Sequence, residues 1–143
     1  MNARRALKTL ETLARARDME LGELKREAVE AAMRVEQTET AIARLEADMM
    51  DEAVEAGSDP EMLRAYAAYA AGARARGRAL AAEKESRIAE LQQADARVLE
   101  AFRALKQIEK AAEARREDIA LEEARKERSV ADDLAAIRAV SVK

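Results

Sequence analysis

The sequence predicts an all-α fold, a long antiparallel two-helix coiled-coil hairpin with an overhanging C-terminal helix. Three observations predict it. In a chain of 143 residues, 38% of side chains are charged, only 2% are aromatic and there is one proline, the profile of a coiled coil. The apolar residues recur with 3,4 spacing over most of the chain, which holds one narrow stripe against a partner helix. A single break, Gly57-Ser58-Asp59-Pro60, interrupts the pattern. One coiled-coil domain over 1–143 is expected, with helix one at about 3–56, a turn at 57–59 and helix two at about 60–140.

Helix one follows from its heptads. One column reads Leu7, Ala14, Leu21, Ala28, Val35, Ile42 and Met49, and the column three residues later Leu10, Arg17, Leu24, Ala31, Thr38, Leu45 and Glu52. Arg17, Thr38 and Glu52 interrupt the stripe, and a polar seam residue can fix register at some cost in stability. Alanine dominates the apolar fraction, so the seam is expected to be narrow and the helices close.

The turn is written in residues with defined backbone roles. Gly57 suits a left-handed helix stop, Asp59, or Ser58 with Glu61 three residues on, suits an N-cap, and Pro60 fits the first turn of a new helix.

Helix two carries Leu63, Ala70, Leu91, Val98, Leu105, Ala112 and Ile119 in one column, with Tyr66, Ala73, Leu80, Ala94, Ala101 and Ile108 three residues behind. Gly72 and Gly77 each cost about 1 kcal/mol of helix propensity, and close helix approach is the alternative use of a glycine there. After Ile119 the apolar phase changes, because Val130, Leu134 and Ile137 form a row at a new azimuth, as expected where a helix leaves one partner and meets another.

Helical rise makes arm one about 80 Å and arm two about 120 Å long. A fold-back centred near Ser58 sets residue 3 opposite roughly residue 113, so the reading leaves about 27 residues of arm two unpaired, some 40 Å of helix.

Charge supports the antiparallel pairing. Residues 27–61 carry 2 basic and 11 acidic side chains, residues 62–82 carry 4 basic and none acidic. The hairpin is expected to set Glu46, Asp48, Asp51, Glu52 and Glu55 beside Arg64, Arg74, Arg76 and Arg78, at about 0.2 to 1 kcal/mol for each exposed pair.

Several function classes lose their usual residues. Cysteine and histidine are absent, which removes thiolates, the commonest base and the commonest metal ligand. No Gly-rich phosphate loop occurs, and no catalytic residue, cofactor or metal is assigned. The acidic balance and the lack of stacking aromatics argue against nucleic acid, and the mixed signs of the polar faces argue against a lipid-surface helix. No apolar run reaches the roughly 18 to 20 residues of a membrane span, so a cytoplasmic protein with no direct membrane insertion is expected.

Three segments carry a resemblance: Ala6-Leu7-Lys8-Thr9-Leu10-Glu11-Thr12-Leu13, the turn, and the tail from Glu122 through Arg125, Lys126, Arg128, Asp132 and Asp133 to Arg138. The chain resembles the FliJ family, the central stalk proteins of the flagellar type III export ATPase. The resemblance implies a non-enzymatic hairpin, similar to the coiled coil of a rotary ATPase γ subunit. Its terminal ends would sit in the hexameric export ATPase, promoting assembly and activity. Its turn would reach the transmembrane export gate protein, peripheral to the inner membrane. Export chaperones are further candidate partners.

Carried onto this sequence, the ATPase-binding residues are Arg125, Lys126, Arg128, Val130, Asp132, Asp133, Leu134, Ile137 and Arg138. The gate-binding residues are Thr38, Ile42, Leu45, Met49, Tyr69, Ala73 and Leu80, all of which also fit the internal seam. The alternatives are an injectisome stalk of the YscO class, or a scaffolding coiled coil that dimerises through its C-terminal overhang.

Overall fold

The computed structural model describes residues 2–142. Two helices, α1 (Ala3–Ala56) and α2 (Pro60–Ser141), pack against each other as an all-α hairpin. Among the described residues there is no strand.

The helix ends have local causes. Asn2 caps α1, its side-chain oxygen accepting from the Arg4 amide at 2.8 Å. Gly57 takes φ +57°, a conformation that costs an L side chain about 1 to 2 kcal/mol, and ends α1 there. Asp59 is the cap of α2: its carboxylate accepts from the Glu61 amide at 3.1 Å, and its carbonyl receives the Leu63 amide at 2.8 Å. Pro60 opens α2, where a missing N–H costs nothing.

The chain divides into two compact units, Met1–Leu21 with Glu100–Lys143, and Gly22–Leu99. In the second unit the buried residues are Ala31, Thr38, Ala56, Ala70, Ala73, Leu80 and Ala94. Five of these seven are alanine, so the helices meet at close range. The seam polar residues separate by chemistry. Glu52 stays exposed, where its charge remains solvated. Thr38 is buried, with its hydroxyl donating to the Arg34 carbonyl at 3.0 Å. No buried polar side-chain atom among the described residues lacks a partner. In the first unit Leu21, Leu105 and Ala112 are buried and Arg17 is exposed.

The register differs from a fold-back centred on Ser58. Such a fold would set residue 71 against Leu45. Instead Leu45 Cδ2 lies 3.6 Å from the position a Cβ would take on Gly77. The cause is at the turn, where Ala56, the last residue of α1, is level with the second and third turns of α2. Glu52, Glu55 and Ala56 share a shallow cleft with Met62, Ala65, Tyr66 and Tyr69. The first turn of α2 thus projects past the end of α1, which leaves Leu63 exposed.

A larger shift in the same direction appears in the first unit, where Arg116 pairs with Glu11 at 3.4 Å and Arg4 pairs with Glu123. Residue 3 therefore lies near residue 123 rather than 113. The unpaired part of α2 begins after Glu123 and is shorter than the sequence arithmetic gave.

The charge pairing is also corrected. Across the arms the ion pairs are Glu39 with Lys84 and Glu27 with Arg97 in one unit, and Glu11 with Arg116 and Arg4 with Glu123 in the other. Among the described residues, Arg64, Arg74, Arg76 and Arg78 make no ion pair with Glu46, Asp48, Asp51, Glu52 or Glu55. The four arginines are exposed. Arg64 and Arg78 flank the face of α2 opposite its seam, which carries their guanidinium groups away from α1.

Candidate partner-binding surfaces

A helix buries its apolar residues only where a neighbour covers them. The residues of α2 from 100 to 119 have one: Leu105 is 5% exposed, Ala112 is buried and Ile119 is half-buried. From residue 120 to 142 every position is exposed. Val130, Leu134 and Ile137 lie within one face by the 3.6-residue period, and Leu134 is 51% exposed. Val140, three residues beyond Ile137, is exposed beside them. Its spacing from Ile137 extends the row by one residue toward the end of α2.

The charged residues of this segment stand around that row. Lys126 is paired with Glu122 at 3.7 Å within the helix, an exposed i,i+4 contact worth about 0.3 to 0.5 kcal/mol. Arg125, Arg128, Asp132, Asp133 and Arg138 are exposed and make no ion pair among the described residues. The Ser141 hydroxyl and the Val142 amide both donate to the Arg138 carbonyl, at 3.1 and 3.2 Å, closing the last turn. All nine residues assigned to the ATPase contact are thus on an uncovered helix, with apolar and ionic groups both available.

The seven residues assigned to the gate contact are placed differently. Thr38, Ala73 and Leu80 are buried, and Ile42, Leu45 and Met49 are half-buried in the seam. Tyr69 alone has substantial surface. Its ring lies 6.3 Å from that of Tyr66, inclined at 42°. Partial burial first, and then the carboxylates of Asp48 and Glu52, hold its phenol above the ordinary pKa. Like any phenol it is protonated at neutral pH and can donate a hydrogen bond. Exposed Met62 lines the same cleft as Tyr69, and Leu63, the next residue, is exposed as well. The sequence pattern could not mark these two as surface, because Leu63 falls in a seam column and only the turn path exposes it.

Among the described residues no cluster of acidic side chains is placed to hold a metal ion. Among the described residues no helix is long and apolar enough to cross a membrane. Comparison with known proteins returned no matching family model, no matching curated protein and no matching solved structure.

Proposed function

We propose that the chain is a FliJ-like stalk of a type III export apparatus, a non-enzymatic coiled coil that binds the hexameric export ATPase and links it to the export gate. The observation that carries this reading is the stretch after Glu123, a continuation of α2 with every described residue exposed, an apolar row, and six charged side chains that make no ion pair among the described residues. An isolated helix of about 18 residues is marginal in water, so a socket that buries Val130, Leu134 and Ile137 would stabilise it. The ionic residues around the row would set its orientation in that socket.

In this reading the turn end of the second unit meets the gate through Tyr69, Met62 and Leu63. Thr38, Ile42, Leu45, Met49, Ala73 and Leu80 support that end from within the seam. The protein works in the cytoplasm, peripheral to the inner membrane.

The test is reconstitution with the cognate export ATPase. A chain ending at Ala124 keeps the pairs of Arg4 with Glu123 and Arg116 with Glu11, and should stay helical up to that point. It should lose hexamer binding and stimulation of ATP turnover. Full stimulation by the truncated chain would refute the stalk reading. Self-association of the parent lost on truncation would favour the scaffold.

A further inference from the structure

The second unit has another apolar face, on the side of α1 away from α2. Val29, Met33, Ala43, Ala47, Met50 and Val54 recur at 4,3 spacing or its multiples and are exposed, Met50 at 72% and Val54 at 81%. Glu36 is the one charged residue in that row. A stripe of this period repeated on the outer side is a second coiled-coil seam.

The outward face of α2 has the complementary shape. Ala65, Ala68, Gly72, Ala75, Ala79 and Ala82 follow at 3,4 spacing and are all exposed. Gly72 has no atom within 4 Å of the position its Cβ would take. The chain's own packing gives no reason for its lack of a side chain, although it costs about 1 kcal/mol of helix propensity.

We propose that the outward face of α1 docks on the outward face of α2 of a second copy, side by side and with the turns pointing the same way. Leu45 faces Gly77 within the chain, and the same level fixes the register between copies. Five residues nearer the turn on each arm, Met50 meets Gly72. Four further on, Val54 meets Ala68, while Ala47 meets Ala75 and Ala43 meets Ala79. Toward the other end Glu36 meets Ser86 and Met33 meets Ala89. Large side chains on one face enter gaps left by small ones on the other, which is how antiparallel seams pack.

Charge selects the occupant and its direction. The carboxylates of Glu46 and Asp51 and the guanidinium groups of Arg76 and Arg78 make no ion pair within the described residues. In the proposed register Glu46 stands two residues from the level of Arg78 and Asp51 five from that of Arg76, about 3 and 8 Å along the axis, spans that a long arginine side chain can bridge. Residues 62–82 of α2 carry four basic and no acidic side chains, whereas Glu83, Glu85 and Glu90 follow further from the turn, so the acidic stretch of α1 finds its complement when the turns point the same way. Pairing the α1 face with itself would set carboxylate against carboxylate. The contact is therefore heterologous, and it extends into an open row of hairpins or closes into a ring.

The chain alone tests this, without any ATPase. Sedimentation of the full-length protein up to about 1 mM, where even millimolar contacts populate, should show association that weakens as salt rises. Gly72→Leu fills open space and raises helix propensity, so it should keep helicity and thermal stability. It should weaken association by about tenfold or more by blocking Met50. Because the chain has no cysteine, Met50→Cys and Gly72→Cys proteins can be mixed in equal amounts and oxidised, and the mixed disulfide should exceed either homodisulfide by well over the twofold ratio that random pairing gives. A chain that stays monomeric throughout overturns the proposal. So does association unchanged by Gly72→Leu, or a mixed disulfide at or below the twofold random ratio.

Discussion

Two stretches of α2 invite comparison, residues 100–119 and residues 124–142. Both are continuous α-helix, both are rich in alanine and charge, and both carry apolar residues at helical spacing. In the first, Leu105 and Ala112 are buried. In the second, Val130, Leu134 and Ile137 are not. The difference lies in α1, whose residues 3–21 cover the first stretch and end before the second. Amphipathic spacing therefore marks where a helix can be covered, and only the register of the other arm decides where it is.

The largest expected effect breaks the comparison at its covered end. Leu105→Ala removes a buried side chain and should cost about 2 to 4 kcal/mol in urea unfolding. Leu134→Ala, at an exposed site, should change stability by less than about 0.5 kcal/mol. Equal losses at the two sites would mean that the tail is covered in the free protein.

Next in size is the turn that sets the register. Gly57→Ala places an L residue at φ +57° and should cost about 1 to 2 kcal/mol, read as a lower thermal midpoint. Paired with Pro60→Ala it should raise the dimer fraction in size exclusion, because the two helices can then join and pair between chains.

The two glycines of α2 sharpen the contrast between covered and open faces. Gly77→Ala puts its Cβ in ordinary contact with Leu45, and Gly72→Ala puts it in open space. Each should stabilise the dilute protein by up to about 1 kcal/mol through helix propensity. A loss at Gly77 would show that the seam is tighter there than the 3.6 Å separation implies.

Smallest is the ionic contribution. Glu122→Gln, which breaks the pair with Lys126 in the uncovered stretch, should cost no more than about 0.5 kcal/mol. High salt should erase the difference.

Much of the fold was legible because local chemistry determines it. Gly57, Asp59 and Pro60 each have a backbone role that sequence states directly, and the helix bounds follow from them. The seam columns were legible from period alone, and Ala70, Ala73, Leu80, Ala94, Leu105 and Ala112 are buried as those columns require. What period does not encode is the path of the turn. Residues 57–59 let the first turn of α2 project past the end of α1, and this shifts every cross-arm partner. That shift moved the expected partner of residue 3 from near 113 to near 123. It also left the arginines near the turn without the carboxylates expected beside them. Of the candidate site, the uncovered tail was legible through the phase change after Ile119. The residues assigned to the gate were not separable from the seam, since Thr38, Leu45 and Ala73 occupy columns that serve both purposes.

Hydrogen exchange of the backbone amides tests the central claim most directly, because opening of a helix depends on what packs against it. In the free protein, amides from 100 to 119 should be protected and those from 124 to 142 should exchange rapidly. On adding the cognate hexameric export ATPase, the second stretch should become protected while the first changes little. Strong protection of residues 124–142 in the free chain, or none gained with the hexamer, would contradict the account.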